Sequence, residues 1–135
     1  MRIAVIDGQG GGIGKAVVEK LRAEFGDEIS IIALGTNTIA TSLMIRAGAN
    51  DGATGENAVV INAARADIII GSIAIISANS LLGELTPKMA EAIAGSDAKK
   101  VLLPLNRYSI YVAGLKDMPL LHYIDEAVEI IKSLM

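Results

Sequence analysis

The chain has 135 residues, 52% of them apolar, no cysteine and a net charge of −3. That is one domain with ample material for a core, which must be aliphatic because there is no Trp and a single Phe. The acidic balance and the singly scattered cations exclude a general nucleic-acid or anionic-membrane surface. The missing cysteines exclude disulfides, thiolate chemistry and cysteine-based zinc sites.

Residues 2–6 (RIAVI) are a short β-branched run, expected as a buried strand. Met1 runs straight into it without a basic leader, so the expected location is cytoplasmic. After the segment Gly8 to Gly14, Ile13, Val17, Leu21 and Phe25 recur every four residues with Glu19 and Arg22 opposite them. That spacing predicts an amphipathic helix ending near Gly26. Residues 29–34 (ISIIAL) read as a second strand, and Gly35-Thr36-Asn37 as a turn that caps a helix running to Ala47, stopped by Gly48. Residues 48–57 (GANDGATGEN) read as a polar loop, with Thr54 as the cap of a helix over 57–64.

Residues 67–70 are expected as the third strand, extending towards 76. This is the most apolar stretch, but Gly71 and Ser72 break it and it is far shorter than the roughly 20 residues a membrane helix needs. Thr86-Pro87 opens a helix to Ala94, since proline suits the first helical position. Residues 100–103 read as a fourth strand stopped by Pro104, 108–113 as a fifth, and Pro119 as the start of a last helix with Leu121, Ile124, Val128, Ile131 and Met135 on one face. Strands alternating with helices predict a parallel sheet covered on both faces. The expected fold is therefore a single Rossmann-like doubly wound domain over 1–135, three layers α/β/α. The long stretch before strand three favours the order 2-1-3-4-5 over a 3-2-1 half-sheet.

Five of the 14 glycines fall between Gly8 and Gly14, between a strand and a helix. Glycine lets backbone N–H groups approach a phosphate, and a helix start turns its positive dipole end towards it. G-x-G-x-x-G fails because residue 13 is Ile. The Walker pattern fails because residue 9 is Gln and Ala16 offers no hydroxyl after Gly14-Lys15. G-x-x-x-G-I-G, through Gly8, Gly12, Ile13 and Gly14, does fit. It resembles the cofactor loop of short-chain dehydrogenases, and "GIGKAVVEKL" resembles the helix that follows there. The resemblance implies that Gly8, Gln9, Gly10, Gly11, Gly12, Ile13 and Gly14 bind the pyrophosphate of NAD(P).

That likeness ends near residue 25. The Tyr-x-x-x-Lys pair of those enzymes is missing, since Tyr108, Tyr111 and Tyr123 are followed four residues on by Val112, Leu115 and Ala127. Strand two ends in Thr36 and Asn37 instead of an acid. This neutral pair tolerates a 2′-phosphate, so NADPH is expected to bind at least as well as NADH. Over its whole length, through "VIDGQGGGIG", "ATGENA", "ADIIIG", "GELTPKMAEAI" and "LLPLN", the chain resembles a small bacterial family known only as a domain of unknown function. That resemblance implies a Rossmann-like fold and no particular activity.

Further cleft candidates are Gly71 and Ser72 after strand three, Glu56 and Asn57 at a helix start, and Asn106 and Arg107 after strand four. Asn79 and Glu84 share a loop without a rank between them, and His122 reads as a surface residue. No metal constellation is visible. Three readings remain open. The chain is a nucleotide-binding or sensing module, a small NAD(P)-dependent oxidoreductase, or a Walker-like phosphohydrolase. Its partner is a small-molecule nucleotide and not nucleic acid or membrane. The aliphatic last helix predicts a homo-oligomer.

Overall fold

The computed structural model describes residues 1–105 and 107–135, so Asn106 lies outside the described residues. Strand β1 (Arg2–Asp7) is buried from Ile3 onward. Its alternate residues feed two separate cores, Ile3 and Val5 on one face, Ala4 and Ile6 on the other. Strand β2 (Ser30–Gly35) divides in the same way, with Ile31 and Ala33 opposite Ile32 and Leu34. So does β4 (Ile68–Ser72), with Ile68 and Ile70 opposite Ile69. Burial on both faces is why these strands read as unbroken apolar runs.

Helices α1 (Gly12–Phe25), α2 (Thr38–Ala47) and α5 (Leu120–Leu134) cover the first face. Helices α3 (Glu56–Ala63) and α4 (Pro87–Ala94) cover the second. The result is the expected three-layer α/β/α domain. With β3 (Asp51–Thr54) and β5 (Lys99–Leu103), five strands form one sheet in the order β3-β2-β1-β4-β5, every neighbouring pair parallel.

The four strands foreseen keep the expected relative order, but the fifth is at the other edge. Residues 108–113 are not a strand, because Tyr108 and Ser109 take φ of 55° and 63°, which no strand adopts. Instead β3 adds to β2, which completes a 3-2-1 half-sheet. It has no apolar run to announce it. Its backbone is held by Asn50, whose side-chain Oδ1 accepts from Ile31 N–H at 2.8 Å and whose N–H donates to the Ile31 carbonyl. Gly52 lets α2 lie close, since a Cβ there would meet Ile45 and Thr41 side chains.

Other local expectations shift for identifiable reasons. Thr54 does not cap α3. It belongs to β3, its hydroxyl lies 2.7 Å from that of Thr41, and Gly55 at φ 99° takes the cap position. Strand β4 stops at Ser72 and turns into a short 3₁₀ segment (Ile73–Ile76). The buried face of α5 is Tyr123, Ile124, Ala127, Val128 and Ile131, leaving Leu121 and Met135 exposed. Tyr123 turns inward because its hydroxyl is fixed to the preceding loop, accepting from Met118 N–H and donating to the Lys116 carbonyl. Asn37 and Thr86 cap α2 and α4 as anticipated, through bonds from the Ala40 and Met89 amides. No helix among the described residues is long and apolar enough to cross a membrane.

Candidate functional site

In this strand order the chain adds strands outward to one side of β1 and then returns to add β4 on its other side, so the connections reverse between β1 and β4. The crevice outside the carboxyl ends of those two strands is the expected ligand position in such a sheet. A half-open cleft of about 200 Å³ lies there. Its floor is Asp7, which ends β1, and Ser72, which ends β4. The glycine loop and Ile13 form one wall, Ala74 and Leu81 a second, and Leu105, Arg107 and Tyr108 the rim.

The five glycines do different jobs. A Cβ on Gly8 would strike the side chains of Thr36, Leu81 and Glu84. On Gly11, at φ 77°, it would lie 2.7 Å from the Ala40 backbone, and on Gly14 it would lie 2.5 Å from Met44 Sδ. Those three are glycine so that the loop can fold and α1 can pack. At Gly10 and Gly12 a Cβ would meet nothing within 4 Å, although both line the cleft. Their bareness serves the open space and not the fold. Gly14 is accordingly a packing residue behind the cleft and not part of its surface.

The loop's amides are divided too. Gly14 N–H donates to Asp7 Oδ2 at 2.6 Å, Gln9 N–H to Glu84 Oε1 at 2.8 Å, and Gly11 N–H to the Gly8 carbonyl at 3.0 Å. The amides of Gly10, Gly12 and Ile13 have no protein partner among the described residues, and they are the donors left for a ligand. Ser72 is only 7% exposed, and its hydroxyl likewise has no partner there. It opens on the cleft, where a ligand can reach it.

Two carboxylates and one guanidinium set the field. Burial pushes the Asp7 carboxyl above its ordinary range, opposed by the Gly14 and Gly8 amides; Glu84 adds to the rise and Arg107 counters it. Glu84 is held below its ordinary range, first by the Thr36 hydroxyl and then by the Gln9 amide and Asn37. Arg107 is exposed on the cleft rim, with no ion pair among the described residues. Lys15 is directed away, with its Nζ 3.9 Å from Glu19 on the outer face of α1. No group of three or more acids or histidines that could hold a metal occurs among the described residues.

Backbone strain gathers around the same crevice. The non-glycine residues at positive φ among those described are Gln9, Asn79, Leu81, Leu82, Tyr108 and Ser109. All lie in the three loops that ring the cleft. Each such residue costs on the order of 1–3 kcal/mol and persists only where surrounding contacts hold it. Tyr108 is held by a 3.0 Å bond from its hydroxyl to Gln9 Oε1, which ties the rim to the glycine loop.

Of the residues picked from sequence, Gly8, Gln9, Gly10, Gly11, Gly12, Ile13, Ser72 and Arg107 meet at the cleft. Gly71 does not; a Cβ there would lie 2.7 Å from the Ile6 carbonyl, so it is a packing glycine between β1 and β4. Thr36 and Asn37 are bonded to Glu84 behind the loop. Glu56 and Asn57 are exposed at the start of α3, beside the edge strand β3. His122 pairs with Glu126 at 3.0 Å on α5. Sequence reasoning passed over Asp7 and Tyr108 and left Glu84 unranked. Asp7 had a signal, an acid closing a buried strand directly before glycine. Tyr108 and Glu84 had none, because only the tertiary fold brings them to the loop.

Solved structures similar to this one include the following two. A universal stress protein in complex with cAMP is 19% identical, with a TM-score of 0.40 over 73% of this chain and 94% of its own. A dodecameric FMN-dependent Ubix-like decarboxylase from Escherichia coli O157:H7 is 16% identical, with a TM-score of 0.47 over 98% of this chain and 76% of its own. These likenesses concern the α/β fold alone. No curated protein matches the chain. Residues 2–135 match the family described as "Domain of unknown function (DUF3842)", and the chain belongs to that family.

Proposed function

We propose that the cleft binds the phosphates of a nucleotide, and that the nucleotide is the dinucleotide NAD(P). The observation that carries this is the pair Gly10 and Gly12, two glycines the fold does not need, beside three free amides and the unpaired Ser72 hydroxyl. A phosphate accepting from Gly10, Gly12 and Ile13 satisfies amides at a helix start, where negative charge is favoured. Arg107 supplies the balancing charge from the rim. The cleft takes a phosphate and its sugar, and the rest of the ligand lies across the open carboxyl edge of the sheet.

The flanking charges favour a dinucleotide over a nucleoside triphosphate. Asp7 and Glu84 both border the glycine loop, and a terminal triphosphate would bring several more negative charges beside them. A dinucleotide's pyrophosphate carries one charge per phosphorus. Lys15, which a phosphate-transfer loop would need inside the cleft, is on the outer face of α1. A binding or sensing module without turnover is the preferred role, because the described residues lining the cleft include no Tyr-Lys pair of the kind short-chain dehydrogenases use. Self-association remains part of the proposal, now resting on the outer α5 residues Leu121, Ile130 and Leu134, all exposed.

The test is thermal unfolding with NADH, NADPH, ATP, GTP and FMN in parallel. A ligand at a hundredfold excess over its Kd adds about 2.7 kcal/mol. The expected result is a rise with a dinucleotide and little with ATP or GTP. A larger rise with the triphosphates overturns the dinucleotide reading.

A further inference from the structure

The end of β2 looked neutral in sequence, but the fold delivers an acid to it. Glu84 comes from the loop between β4 and α4, and its Oε1 accepts three bonds at the tips of β1 and β2. The donors are Gln9 N–H at 2.8 Å, the Thr36 hydroxyl at 2.6 Å and Asn37 Nδ2 at 2.8 Å. Thr36 and Asn37 are therefore committed. Asn37 also donates to the Gln9 carbonyl at 2.9 Å and accepts from the Ala40 amide. Neither keeps a donor aimed at a ligand. Glu84 Oε2, in contrast, has no partner among the described residues. The loop that places it carries Asn79, Leu81 and Leu82 at positive φ, and it is pinned by the Asn79 amide on the Leu85 carbonyl at 2.8 Å.

From this geometry we infer that Glu84, which stands behind the glycine loop and outside the lining of the cleft, is the specificity residue for the part of the ligand that passes over the loop to the tips of β1 and β2. Its free carboxylate oxygen accepts from the vicinal hydroxyls of the ligand's adenosine ribose and repels a 2′-phosphate. An acid at the tip of the second strand reads a ribose diol in dinucleotide-binding sheets. Here the acid reaches that place from a different loop. The inference rests on the dinucleotide reading above and reverses the cofactor choice expected from the neutral pair. The ligand class becomes a dinucleotide with a free 2′-hydroxyl. The charge decides it, because a second anion beside a fixed carboxylate is disfavoured while a diol has two protons to donate.

Fluorescence titration of the parent protein and of Glu84→Gln with NADH and NADPH tests this, with ATP and FMN run beside them. The parent should bind NADH on the order of tenfold or more tighter than NADPH, the discrimination a like-charge contact imposes. Glu84→Gln keeps an oxygen for Gln9, Thr36 and Asn37 and removes the charge. It should weaken NADH and strengthen NADPH, bringing the two within about threefold of each other. A purely structural Glu84 would weaken both cofactors alike and leave their ratio unmoved, which overturns the inference. Equal binding of NADH and NADPH by the parent overturns it while leaving the dinucleotide reading standing, and this result does not depend on the variant folding. Binding of ATP or FMN but neither dinucleotide, or no binding at all, overturns both.

Discussion

Replacing Gly12 by Val should separate ligand binding from folding. A Cβ at Gly12 meets nothing within 4 Å, and its φ is not in the left-handed region, so the folded chain has room for it. A residue with a side chain in place of glycine at a compatible position changes stability by only a few tenths to about 1 kcal/mol. For a domain of this size that is a melting shift of a few degrees. The new methyls would stand in the open space that the Gly10, Gly12 and Ile13 amides face. Two displaced hydrogen bonds to a charged group, at roughly 1.5–3 kcal/mol each, correspond to at least a hundredfold loss of affinity. Gly14→Ala is the counterpart. Its Cβ would lie 2.5 Å from Met44 Sδ and 2.9 Å from Asp7 Cβ, an overpacking worth about 1–3 kcal/mol of stability. Calorimetric titration with NADH and thermal melting of both variants read the two effects. If Gly12→Val binds as tightly as the parent, the cradle assignment is refuted. If Gly14→Ala melts with the parent, the division of the glycines into folding and binding roles is wrong.

Three further outcomes follow from the same geometry. Lys15→Ala should weaken nucleotide binding by less than about tenfold, and Mg²⁺ should make little difference, because the lysine faces Glu19 and solvent screens it; loss of ATP binding that depends on Mg²⁺ would favour phosphate transfer instead. Arg107→Ala should weaken binding more than Lys15→Ala, and the parent's affinity should fall with added salt more steeply than the variant's, as titration at two ionic strengths would show. Asp7 binds its proton more tightly in the folded chain than its ordinary value of 3.8, so its favourable contribution is full below that value and is lost as pH rises through the folded pKa. Relative to Asp7→Asn, the parent should therefore lose stability from about pH 4 upward in denaturant melts, and a parent that gains stability relative to the variant as pH rises would show the sign is wrong.

The sequence by itself determined the strands that are buried on both faces. The apolar runs within residues 2–6, 29–34 and 67–70 fit the interior of a sheet, so they located β1, β2 and β4 to within a residue or two. Local chemistry determined the helix starts at Asn37 and Thr86 and the glycine loop after β1, because caps and turns are made by residues near in sequence. The edge strand β3 escaped, since its four residues bury almost nothing and are held by Asn50 and by packing against α2. What only the tertiary structure decided is how the loop is used. Glycine count did not distinguish Gly8, Gly11 and Gly14, which neighbours from α2 and the 77–86 loop require, from Gly10 and Gly12, which face open space. Nor did sequence distance announce that Glu84 meets Gln9 across 75 residues, or that Tyr108 meets it across 99. Contacts of that separation depend on strand order, and strand order is settled by the packing of the whole sheet.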